Sequence, residues 1–168
     1  IDVLPRALKI HHLAIVQPTF SEYARSMTRA GGRITAVYAK ARERYAQPIE
    51  DLCHLLETRH GNSDSIEGIL LCNPNSPTGQ ACIVDDLLRL ADIAHRRKIW
   101  FIIDEAFADY CPDRSFLPSA ASRSRVVVLR SLTKFYALPG LRVGYAVANP
   151  AAIEALRRLM PPWSVNVM

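Results

Sequence analysis

No apolar run in this sequence approaches the ~18–20 residues that a helix needs to cross a bilayer. The opening stretch, IDVLPRALKIHH, also lacks the layout of an export signal. Together these absences lead us to expect a soluble, cytoplasmic chain. The four cysteines, Cys53, Cys72, Cys82 and Cys111, form no C-x-x-C pair and have no histidine neighbour at metal-ligand spacing. They read as buried or free thiols of a reducing compartment, and no metal site is expected. There is no internal repeat, low-complexity tract or linker. The surplus of positive charge is small, with 21 Lys and Arg against 16 Asp and Glu, a net +5. Its densest runs, HRRK (95–98) and RR (157–158), fall at the ends of helix-like segments, where cations complement the dipole. That scatter argues against a nucleic-acid partner.

What the sequence does have is alternation. Residues 1–8 read as the tail of a helix and HHLAIV (11–16) as a short buried strand. FSEYARSMTRAGG (20–32) reads as a helix stopped by two glycines, and RITAVYA (33–39) as a strand. PIEDLCHLLETRHG (48–61) opens on Pro, closes on Gly and places Ile49, Leu52, Leu55 and Leu56 on one face. Three wholly apolar strands follow, at 66–72, 99–104 and 125–130, with the amphipathic helix 84–97 between the first two. Strands apolar on both faces and alternating with helices predict a three-layer α/β/α fold around a mostly parallel sheet.

In such folds chemistry gathers at the carboxyl ends of the strands. Here the three apolar strands run into CNPNSPTGQ (72–80), DEAFADY (104–110) and RSLTKFYALPGLR (130–142). Each piece has a plain reading: a turn, a helix cap, a solvated lysine. All three in this order, after successive buried strands, point instead to a working sheet edge. The apolar strand ending in Asp-Glu also fits a P-loop NTPase, but the G-x-x-x-x-G-K-[ST] cradle is missing and the lysine loop would go unexplained.

The stretches NPNSPTG, DEAF and SLTKFYALPGLRVGY, at these separations, resemble the large domain of the fold-type I, pyridoxal-phosphate-dependent aminotransferases of classes I and II. QPTFSEYARSM (17–27), DEAF (104–107), LRSLTKFYALPGLRVGY (129–145) and PWSVN (162–166) are most similar to the threonine-phosphate decarboxylases of cobalamin biosynthesis. The resemblance implies that residues 1–168 are the central part of the cofactor-binding large domain, with the N-terminal arm and the C-terminal small domain absent. It further implies a homodimeric parent acting on a phosphorylated amino acid.

Residue by residue, the resemblance assigns Lys134 as the lysine that bonds covalently to the cofactor and then carries protons. Ser131 and Arg142 correspond to ligands of the cofactor phosphate, and Thr133 offers a further hydroxyl. Asp104 corresponds to the carboxylate that pairs with the pyridine nitrogen. Phe20 corresponds to the aromatic residue over the cofactor ring, with Tyr23 a second candidate. Gly140 and Gly144 are expected to allow tight turns beside the cofactor.

Two positions depart from the aminotransferase pattern. Ser76 stands where an Asn usually donates to the cofactor's phenolic oxygen, and Phe107 stands where a tyrosine often supplies a second donor. The Phe is compatible with the decarboxylase relatives. The reaction implied is decarboxylation of L-threonine O-3-phosphate to (R)-1-amino-2-propanol O-2-phosphate. A histidinol-phosphate aminotransferase, and an inactive fragment or cofactor-binding sensor domain, stay open as alternatives.

Overall fold

The computed structural model describes residues 1–58, 64–162 and 164. The end of the expected 48–61 helix and most of the 162–166 stretch lie outside the described residues. Six strands form one sheet: β1 (His12–Gln17), β2 (Arg33–Tyr38), β3 (Gly68–Cys72), β4 (Trp100–Asp104), β5 (Val126–Ser131) and β6 (Gly144–Ala148). Their order across the sheet is β2-β1-β3-β4-β5-β6. The first five are parallel, and β6 pairs antiparallel with β5.

Alternation along the strands divides the core in two. Ala14, Val16, Ile69, Leu71, Phe101, Ile103, Val126 and Val128 face one side. There they meet Leu52 and Leu56 of α3 (Ile49–Thr58), Leu87, Leu90 and Ala94 of α4 (Val84–Arg97), and Ala120 of a short helix α5 (Leu117–Ala120). Leu13, Ile15, Leu70, Cys72, Ile102 and Val127 face the other side. They pack on Leu4 of α1 (Leu4–Ala7), Tyr23 and Met27 of α2 (Glu22–Arg29), and Ala152 and Leu156 of α6 (Pro150–Arg157). Helices on both faces of a mostly parallel sheet make the three-layer α/β/α arrangement. Each fully buried Leu or Ile contributes about 1.5–3 kcal/mol, so the central strands carry most of the cohesion.

Local chemistry sets the helix ends. α4 begins with Asp85 and Asp86 and ends with His95, Arg96 and Arg97, each sign opposite to the nearby dipole charge. α6 is capped by Asn149, whose Oδ1 accepts the Ala152 N–H at 2.9 Å, with Pro150 at the first helical position. All four cysteines are free thiols. Burial pushes the Cys72 thiol up to about 11 and that of Cys82 to about 12. No described helix is long and apolar enough to cross a membrane.

Candidate active site

β1 feeds one way to the edge strand β2, whereas β3, β4 and β5 extend the sheet the other way. Beyond the carboxyl ends of these strands lies a cleft of about 530 Å³, within the size range of cofactor sites. Phe20, Asp104, Ser131, Thr133, Lys134 and Arg142 all line it. Six of the eight residues expected from sequence thus share one cavity. α1 and α6 close its side with Leu4, Ile153 and Leu156.

Asp104 ends β4, paired on one side with Cys72 and on the other with Leu129. It is only 7% exposed. Its Oδ2 accepts the Tyr23 hydroxyl at 2.8 Å and its Oδ1 accepts the Ala106 N–H at 3.0 Å. Burial pushes this carboxyl above the ordinary Asp value, while the two hydrogen bonds and the Lys134 charge pull it back. Tyr23 is therefore committed to Asp104. Phe20, half exposed in the cleft, meets the Tyr23 ring edge-on at 5.6 Å.

Ser131 ends β5, and the lysine loop starts there. Ser131 Oγ and Thr133 Oγ1 lie 2.8 Å apart, and the Thr133 N–H points to Ser131 Oγ at 3.3 Å. These hydroxyls and the Arg142 guanidinium all line the cleft and are potential donors to an anion. Arg142 has φ 50 and donates to the Pro139 carbonyl at 3.3 Å. Gly144 opens β6 opposite Ser131 because a Cβ there would meet the Arg130 carbonyl oxygen at 2.5 Å. A Cβ at Gly140 would meet nothing within 4 Å, so the expected tight turn needs glycine at 144 and not at 140.

Lys134 is exposed, and its Nζ sits 5.6 Å from the centre of the Phe107 ring. Phe107 is not itself part of the cleft lining but lies against Lys134, which is. Ser76 also stands apart from that lining. The preceding Asn75 is buried and tied to the Pro18 carbonyl, Thr19 and Thr78. These bonds fix the loop with Asn75 inward and Ser76 in the following turn.

Sequence reasoning missed the polar network behind the cleft. Glu105 is fully buried; its carboxylate accepts from Arg130 Nη1 at 3.0 Å, Ser115 Oγ at 2.6 Å and the Phe116 N–H at 2.6 Å. Arg130 also pairs with Asp109. Neighbours in a strand point to opposite faces, so Asp-Glu and Arg-Ser at two adjacent strand ends already signal one site pair and one clamping pair.

The profile of the aminotransferase class I and II family matches residues 1–167. The chain belongs to that family. Its enzymes depend on pyridoxal phosphate. The threonine-phosphate decarboxylase of Salmonella typhimurium is 38% identical over 163 residues, covering 96% of this chain and 43% of that protein. A histidinol-phosphate aminotransferase of Vibrio vulnificus is 36% identical over 106 residues, covering 63% of this chain and 30% of that protein. Among solved structures, the histidinol-phosphate aminotransferase from Clostridium acetobutylicum superposes with a TM-score of 0.84 at 24% identity, covering 98% of this chain and 47% of that one. This chain spans a little under half the length of these full-chain matches.

The residues present fit the cofactor. No cation among the described residues lies within ion-pair distance of the Asp104 carboxylate, so a protonated ring nitrogen would give this buried acid a partner. The hydroxyl pair and the guanidinium that line the same cleft are donors of the kind a phosphate dianion takes.

Proposed function

We propose that the chain forms the central part of the large domain of a pyridoxal-phosphate-dependent lyase that decarboxylates L-threonine O-3-phosphate to (R)-1-amino-2-propanol O-2-phosphate in cobalamin biosynthesis. The observation that carries the reading is the shared cleft. It is lined by a buried carboxylate with no ion-pair partner among the described residues, a lysine amine, and hydroxyl and guanidinium donors suited to a phosphate. In sequence, the Salmonella typhimurium decarboxylase matches 96% of the chain, whereas the Vibrio vulnificus aminotransferase matches 63% of it.

When bound, the cofactor supplies an electron-accepting pyridinium ring that stabilises the negative charge left at Cα. Ser131, Thr133 and Arg142 would hold its phosphate, and Phe20 would cover one ring face. Asp104 would keep the proton on the ring nitrogen, a task suited to a carboxylate fixed by Tyr23 and the Ala106 N–H. Lys134 Nζ would hold the cofactor covalently and then, once displaced by the substrate amine, return a proton to Cα. Phe107 holds that amine beside its ring face. The parent is proposed to act as a cytoplasmic homodimer.

Product analysis on the full-length, cofactor-loaded protein tests this. Carbon dioxide release from L-threonine O-3-phosphate without a 2-oxo acid acceptor is expected. Acceptor-dependent amino transfer from histidinol phosphate would establish the aminotransferase reading instead. Cofactor binding without turnover of either substrate would mark a sensor or inactive domain.

A further inference from the structure

A second cavity, of about 720 Å³, opens at the opposite end of the sheet, where the strands begin. The five residues of β4 separate the two cavities, from Trp100 in this one to Asp104 in the cleft, a span of roughly 15 Å. Four cations line it, Lys9, Arg97, Lys98 and Arg125, against the single carboxylate of Glu67. Glu67 is already engaged, its Oε2 accepting the backbone N–H groups of His11 and His12. Among the described residues none of the four cations is paired with a carboxylate. The Arg125 guanidinium lies over the Trp100 ring, 5.4 Å from its centre, which holds its planar donor edge in place.

Three of these four cations also share a backbone feature, found as well at Arg44, Tyr45, Ala137 and Arg142 elsewhere in the chain. Lys9, Lys98 and Arg125 have φ of 54, 57 and 60, a conformation that L side chains strain to adopt. Lys9 and Lys98 end α1 and α4 in turns closed by Ile10 N–H to the Pro5 carbonyl and Ile99 N–H to the Ala94 carbonyl, each 2.8 Å. Glycine is the usual occupant of that position. The chain thus places cations, against backbone preference, at three turns around one cavity. Leu8, Ala152 and Ala155 supply apolar lining.

We propose that this cavity binds a small phosphorylated molecule, its phosphate held by Lys98 and Arg125 with Lys9 and Arg97 beside them, and its organic part resting on Leu8, Ala152 and Ala155. A phosphate dianion answers several unpaired donors at once, and a guanidinium edge matches its oxygens bidentately. This site is independent of the cofactor cleft.

The test is calorimetric titration of the full-length, cofactor-saturated protein at low salt, so that the cleft's own phosphate donors are occupied. The probes are phenyl phosphate and, separately, inorganic phosphate. Saturable binding is expected, weakened at least ~10-fold in Lys98→Gly/Arg125→Gly. Because glycine suits both backbone positions, that variant should keep or raise its melting temperature, which separates lost binding from lost folding. Lys9→Gly, on another element, should weaken binding in the same sense. Tighter binding of phenyl phosphate would identify an organic phosphate as ligand, and equal binding would identify phosphate itself. No saturable binding, or undiminished binding in the double variant, overturns the proposal. So does binding lost in Arg142→Lys but kept in the double variant, because the probe would then occupy the cleft.

Discussion

Tyr23 donates its hydroxyl proton to Asp104 Oδ2 across 2.8 Å, tying α2 to the end of β4 inside the core. Removing that donor with Tyr23→Phe leaves a buried carboxylate with one backbone partner. A loss of about 1.5–3 kcal/mol is expected, measured by urea unfolding of the cofactor-free protein at neutral pH. Ring shape and burial are unchanged, so a loss near zero would mean that the hydroxyl is not holding the acid.

The same carboxyl sets a pH dependence. Burial, the largest influence, raises it above the ordinary Asp value of 3.8. In the cofactor-free protein the folded state therefore keeps this proton to higher pH than the unfolded chain does. The contribution is fully present below the unfolded pKa and is lost as pH rises through the folded one. Wild type should lose stability relative to Asp104→Asn as pH climbs from about 4. Denaturation midpoints across that range check it, and a difference that shrinks with rising pH contradicts it. Saturating cofactor should restore wild type at neutral pH by pairing the charge.

Arg130 neutralises Glu105 where water is excluded. Arg130→Gln leaves Glu105 buried without its cation, at an expected cost of about 3–5 kcal/mol. Because the pair clamps the ends of β4 and β5, cofactor affinity should fall as well. Equilibrium unfolding and cofactor titration read the two effects separately.

Glycine at 144 answers to the Arg130 carbonyl. Gly144→Ala should cost about 1–3 kcal/mol through overpacking of the β5–β6 pair. Gly140→Ala, facing open space, should stay within about 0.5 kcal/mol. Equal midpoints for the two variants in chemical denaturation would contradict the close contact.

Lys134 is exposed, so Lys134→Ala should change the stability of the cofactor-free protein by no more than about 0.5 kcal/mol. It should nonetheless abolish borohydride-fixed attachment of the cofactor, detected as lost mass on the intact chain. Attachment that survives would place the reactive amine elsewhere.

The parallel sheet was legible because β3, β4 and β5 are apolar on both faces, a pattern that an amphipathic helix does not share. Helix α4 could be read end to end from its period and its charged termini. β6 was not: Gly-Tyr-Ala-Val-Ala is short, half exposed and preceded by a loop, so neither length nor period marks it. α2 begins at Glu22, two residues later than its sequence suggested, because Pro18 and the turn after it come first. Lys134, Asp104, Ser131, Thr133 and Arg142 could be picked out because strand ends and a familiar loop coincide. Ser76 and Phe107, the two positions that depart from the aminotransferase pattern, lie beside the cleft lining and not within it. Which residue of Asn75-Ser76 turns inward depends on hydrogen bonds to Pro18 and Thr19, over fifty residues away.

The reversed last strand has a kinetic and entropic consequence for the lysine loop. Ser131 pairs with Gly144, and Leu132 N–H reaches the Val143 carbonyl at 3.2 Å, so both ends of the loop are hydrogen-bonded to each other. Its closure entropy is met during folding and need not be met again when a ligand arrives. Occupancy of the cleft and fraying at this edge of the sheet are then thermodynamically linked. Filling the cleft should slow hydrogen exchange along β6, and loosening β6 should speed escape of whatever the loop holds.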